Sequence, residues 1–339
     1  GSNAVVRDID RLREVLGDSQ LTFLGYSYGS RLGALYAHTF PDKVRAIVLD
    51  SPLSPVAANN VEIRVGNTAG YDKTLSHRLS FDASPERRDR LQTIIHLAED
   101  RGYYYAADID LGRAYLSDAM YAAVARESWG EWDYIQDAMT ILLDHDSAEG
   151  ILSGLDQIWQ NQDNSITPED FRALAHFRAV VCTDERLPLA ENELQSALFR
   201  YEAGSSLYGK FVYEKTASLC SGWTAARDPI ADMSDLEARL NGKQILVIGG
   251  RLDPATPYAW TEEMVSSLGA SASLLTMENY VEHGFSYNGF DCIDQATTAY
   301  LLDPSQKVSD RVCQPYSWYS FGFDRVFPVP HPTRNIIGW

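Results

Sequence analysis

The run Gly25-Tyr26-Ser27-Tyr28-Gly29-Ser30 sets a serine between two glycines, and the six residues before it are mostly apolar. A serine at a sharp strand-to-helix turn is exposed at the tip, and neighbours two positions away that lack a Cβ let strand and helix pack closely. The chemistry such a serine could do is nucleophilic attack on an acyl carbon. An alcohol needs a base to take its proton, and the base needs a carboxylate to orient it. Of seven histidines, His38, His77, His96, His145 and His176 fall in expected helices or in the middle of the chain, and His331 lies in a Pro-rich tail. His283, in Glu282-His283-Gly284, follows the last expected strand and takes the position of the base. Asp253, in Asp253-Pro254-Ala255-Thr256-Pro257, follows another strand and is the candidate acid, with Asp50 as the fallback. The backbone N–H of Tyr28, next to the nucleophile, is the expected oxyanion donor.

These residues need elements to hold them. Residues 5–16 are amphipathic, with Val5, Ile9, Leu12, Val15 and Leu16 on one face and Gly17 as the stop. An apolar strand over 21–24 leads into the turn at Ser27, a helix follows, and Pro41 breaks it before a second strand over 44–49 that ends at Asp50. Helix, strand, helix, strand at this spacing predicts a parallel sheet covered by helices on both faces. A continuous apolar strand over 243–250, a helix over 258–268 and a strand over 272–277 resume the pattern before His283. The order Ser, Asp, His along these strands is that of the α/β-hydrolase fold. Between them the buried strands stop. Segments 86–99, 111–126, 131–143, 148–159, 168–181 and 189–203 carry helical periodicity, so 56–225 is expected to be a helical cap. Tyr103-Tyr104-Tyr105 and Trp129-Gly130-Glu131-Trp132 read as packing aromatics of that cap. The hydrolase core is then 5–55 with 226–315, residues 1–4 read as a tag remnant, and 316–339 form an aromatic tail.

The formal charge of −18 over 339 residues argues against nucleic acid, which would require clustered Lys and Arg. No run of 18 apolar residues spans a membrane, and nothing implies a metal or cofactor. Cys182, Cys220, Cys292 and Cys313 are too widely spaced for a zinc site, and two disulfides or four buried thiols both remain open on their count.

The elbow, the Asp253-Pro254-Ala255-Thr256-Pro257 turn, Val181-Cys182-Thr183-Asp184, Cys220-Ser221-Gly222-Trp223 and Cys292-Ile293-Asp294 with Cys313 together resemble the tripeptidyl aminopeptidase-like secreted serine hydrolases, relatives of the prolyl aminopeptidases. The resemblance implies Cys182–Cys220 and Cys292–Cys313 disulfides and an extracytoplasmic home. It also implies that the cap bounds a peptide cleft, with Asp184 and Glu185 as candidates to hold a free amine. The chain departs from the pattern at Glu282 and Thr224, in its aromatic tail, and in the strands expected ahead of the elbow.

A serine exopeptidase releasing short peptides from free N-termini is therefore the expected function. An esterase or lipase-like enzyme with the same triad is the alternative. A third expectation follows from the missing strands: an inactive fragment or binding protein, with a second chain or another copy completing the sheet.

Overall fold

A computed structural model describes residues 1–82, 168–206 and 208–315. The predicted segments within 86–159, both aromatic runs and the tail at 316–339 lie outside the described residues.

The framework is a five-stranded, all-parallel sheet in the order β1-β2-β3-β4-β5, formed by Leu21–Tyr26, Val44–Asp50, Ile245–Gly250, Ala272–Met277 and Arg311–Cys313. Strand β5 is three residues long, too short for its pattern to stand out from its surroundings, and the sequence reading missed it. The middle strands are largely apolar because they are buried on both faces, with Arg45 at the start of β2 exposed. Alternation appears only when the two faces are separated. Ile47, Leu49, Ile245 and Val247 enter one core, while Ala46, Val48, Leu246 and Ile248 enter the other.

Helices α1 (Ser2–Val15) and α2 (Tyr28–Thr39) share the first core with α7 (Leu236–Leu240) and α8 (Tyr258–Leu268). The second core is closed by α9 (Asp291–Leu302), through Ile293, Ala296 and Tyr300. Residues 1–4, read as a tag remnant, form the first turn of α1, and Ser2 is buried. Gly17 has φ +80°, consistent with its predicted role as the stop after α1. The outer edge of β1 pairs with no strand among the described residues. Of the five residues on the face predicted to pack, Val5, Leu12, Val15 and Leu16 are exposed and only Ile9 packs against the core, which α1 enters through Val6 instead.

Among the described residues, four helices fall within the span read as a cap: α3 (Asn60–Asp82), α4 (Pro168–Asp184), α5 (Glu191–Gly204) and α6 (Gly209–Thr216). The sequence reading anticipated α4 and α5 and missed the eight-residue α6 and also α3, whose polar stretches and two glycines weaken the helical pattern. Those glycines bring α3 onto the core: a Cβ at Gly70 would stand 2.5 Å from the Pro254 carbonyl oxygen, and one at Gly66 would meet the Trp260 ring at 2.2 Å. The cysteines pair as Cys182–Cys220 and Cys292–Cys313. The first ties the end of α4 to the segment after α6, and the second ties the start of α9 to β5. No helix among the described residues is long and apolar enough to cross a membrane.

Candidate active site

All the strands of a parallel sheet end on one side, so residues just past their C-termini gather there even when they lie far apart in sequence. Ser27 follows β1, Asp50 ends β2, Asp253 lies three residues past β3, and His283 lies six past β4. Ser27 adopts φ 52° and ψ −120°, a conformation that a residue with a side chain rarely takes, at the joint between β1 and α2. Its own N–H donates to the Asp50 carbonyl at 2.9 Å, which anchors the turn to the neighbouring strand. Gly25 must be a glycine, because a Cβ there would sit 2.2 Å from the Gly29 carbonyl oxygen. Gly29 carries no such demand: a Cβ would meet nothing within 4 Å, so the expectation that both flanking glycines are needed holds on the strand side alone.

His283 Nδ1 lies 3.0 and 3.1 Å from the two carboxylate oxygens of Asp253. Asp253 is buried and accepts the N–H groups of Ala255 and Thr256 and the hydroxyl of Thr256. The Asp253-Pro254-Ala255-Thr256 turn thus saturates the carboxylate and fixes it facing the imidazole. Helix α3 holds that turn from outside, with Asn67 Nδ2 donating to the Ala255 carbonyl.

Asp50, the fallback acid, has a different task. Its carboxylate accepts the backbone N–H groups of Phe285 and Ser286 and the Ser286 hydroxyl, while the Ser51 hydroxyl accepts the N–H of Gly284. The end of β2 therefore braces the loop that carries His283, and Asp253 takes the imidazole. Burial pushes the Asp50 carboxyl up to about 6, against the lowering effect of those hydrogen bonds and of His283. Glu282 is buried and accepts the N–H of His283. Tyr28 is the first residue of α2, where a backbone N–H has no acceptor within its own helix.

Ser27 and Tyr28 open onto a cleft bounded by α3 and α4. Asp184 and Glu185 also line it. Both are engaged. Asp184 accepts the Ser2 N–H, the Ser2 hydroxyl and the Tyr28 hydroxyl. Glu185 accepts the N–H of Asn60 at the start of α3 and pairs with Arg227 at 2.8 Å. Two cleft residues that the sequence reading passed over are Arg31 and Arg64, which sit within apolar helical stretches where only the tertiary packing reveals a shared cavity.

A family model described as an α/β hydrolase fold matches residues 2–75, and one described as TAP-like protein matches residues 205–313. The chain is 26% identical over 333 residues to "Serine protease Hip1" of Mycobacterium tuberculosis, covering 92% of this chain and 61% of that protein. It is 24% identical over 343 residues to "Tripeptidyl aminopeptidase" of Streptomyces coelicolor, covering 92% and 57%. It is 28% identical over 335 residues to "Carboxylesterase B" of Mycobacterium tuberculosis, covering 93% and 61%. The chain thus spans about three fifths of the length of these curated relatives. The two family models span the parallel sheet from β1 through β5, so the chain has the α/β-hydrolase fold and is similar over residues 205–313 to the TAP-like proteins.

Proposed function

We propose that this chain carries the catalytic machinery of a serine peptidase that acts at the free N-terminus of peptides. The observation that carries the reading is the strained backbone of Ser27, on the same side of the sheet as an imidazole held 3.0 Å from a buried carboxylate. In the proposed reaction Ser27 Oγ attacks the acyl carbon as His283 takes its proton. The oxyanion forms against the N–H of Tyr28, and His283 returns the proton to the leaving amine. Water then attacks the acyl-enzyme with His283 again as base, and release of the acid restores Ser27. Asp253 holds the imidazole tautomer throughout.

A peptidase named as releasing tripeptides is among the relatives, which supports the exopeptidase form of the reading. Asp184 is the proposed partner of the substrate amine, because it faces the cleft and already receives a backbone N–H. Glu185, paired with Arg227, is the weaker of the two candidates. The two disulfides support an extracytoplasmic location, where thiols oxidise. The division into core (5–55 with 226–315) and cap (56–225) is part of the same proposal, supported by the contact of α3 and α4 with the cleft.

The decisive experiment is fluorophosphonate labelling. Ser27 is expected to take the probe and Ser27→Ala to lose it. Labelling that survives in Ser27→Ala removes the proposal. The esterase reading has one observation in its favour, the similarity to a protein named a carboxylesterase. Hydrolysis of a tripeptidyl amide with a free amine, the same amide acetylated, and a simple acyl ester separates the two. A peptidase of the proposed kind prefers the first, and that preference falls in Asp184→Asn. The outer edge of β1, which pairs with no strand among the described residues, supports a second polypeptide or second copy completing the sheet, which native mass spectrometry of the purified protein would detect.

A further inference from the structure

The charged side chains of the cleft are not equally satisfied. Its two acids, Asp184 and Glu185, have their oxygens occupied by N–H and O–H donors. Its two guanidinium groups do not reach that state. Arg31 is 9% exposed and Arg64 is 8% exposed. Each has a buried Nε with no hydrogen-bond partner, and neither forms an ion pair within 4.0 Å among the described residues. Arg31 donates one hydrogen bond, to the Ala57 carbonyl. Arg64 lies over the Phe177 ring, 5.1 Å from its centroid, and reaches the Asn67 side chain at 3.4 Å.

A buried guanidinium is costly unless its charge is matched and its N–H groups are used, and each carries five donors in a planar fork. Asp184 lies near enough to Arg31 to act on it through space. Among the described residues no carboxylate pairs with Arg64, whose guanidinium meets an aromatic face and an amide. A cleft that opens beside Ser27 therefore presents unused, forked, positively charged donors in a partly desolvated setting. Such donors match the geometry of a carboxylate, which accepts two parallel N–H bonds from one guanidinium.

We propose that Arg64, with Arg31, forms a subsite for a carboxylate of the peptide substrate, so that the enzyme selects acidic or short, free-acid peptides. The choice of peptide rests on the serine peptidase reading above, whereas the binding of a carboxylate does not. The two sources of that carboxylate, an acidic side chain and a peptide C-terminus, are told apart by the probes.

The experiment is calorimetric binding of matched pairs to the protein at low ionic strength. One arm compares the amides Glu-Ala-Ala, Ala-Glu-Ala and Ala-Ala-Glu with their Gln twins. The other compares Ala-Ala-Ala as free acid with its amide. In at least one pair the charged member is expected to bind roughly tenfold or more tightly, since charge-assisted bonds to a desolvated guanidinium are the strong ones. Arg64→Gln should erase that preference, Arg64→Lys should keep part of it, and Ser27→Ala should retain it. Circular dichroism checks that each variant is folded. Equal binding within every pair overturns the proposal, as does a preference that persists undiminished in folded Arg64→Gln. Charge preference without fluorophosphonate labelling of Ser27 would remove the peptidase reading and leave the subsite standing. Labelling without charge preference would do the reverse.

Discussion

Two aspartates at the C-terminal ends of neighbouring strands, Asp50 the last residue of β2 and Asp253 three residues past β3, do different work, and the difference lies in what each carboxylate accepts. Asp253 takes its N–H groups from its own turn and leaves one edge for His283. Asp50 spends its acceptors on the loop that carries His283. Burial raises Asp50 from its ordinary 3.8 to about 6, so between these values the folded chain holds a proton that the unfolded chain has lost. Its contribution to stability is full below about pH 4 and is lost as pH rises through about 6, a change on the order of 3 kcal/mol. Asp50→Asn stays neutral throughout. Denaturant titrations at pH 4, 5, 6 and 7 should therefore show wild type losing stability relative to Asp50→Asn over this window; parallel curves would contradict the assignment.

At the scale of elements, the joint between β1 and α2 makes a sharper statement than its motif. The Cβ of an alanine at position 25 would collide with backbone, which cannot move aside without displacing Ser27. Gly25→Ala should cost roughly 1–3 kcal/mol and abolish fluorophosphonate labelling. Gly29→Ala meets open space at the start of α2 and should be tolerated, with a gain of up to about 1 kcal/mol from helix propensity. Thermal melts and labelling of the two variants check both. Helix α3 belongs to the same scale. It packs Gly70 on the Asp253 turn and Gly66 on Trp260 and offers Arg64 to the cleft, so one element links the proposed acid to the proposed substrate pocket.

For the molecule as a whole, the disulfides hold segments that the sheet does not. Cys182–Cys220 closes a separation of 38 residues and Cys292–Cys313 one of 21. Loop-closure entropy gives about 4 and about 3 kcal/mol respectively. Cys182→Ser with Cys220→Ser should lower the melting temperature, and Cys292→Ser with Cys313→Ser should do so by less while exposing the amides of β5 to hydrogen exchange. Unchanged melting in both would show that the bridges constrain nothing. The sequence by itself determined β1 to β4 and the helix Tyr258–Leu268, and it pointed to Ser27, Asp253 and His283 as the proposed triad, because buried parallel strands are largely apolar and site residues follow their ends. It also supplied the cysteine pairs through family resemblance. Only the tertiary structure set Asp253, and not Asp50, against the His283 imidazole, left open space around Gly29, and brought Arg31 and Arg64 into one cleft. Those outcomes depend on which acceptors, Cβ positions and charges meet across elements far apart in the chain, and spacing along the chain does not encode that.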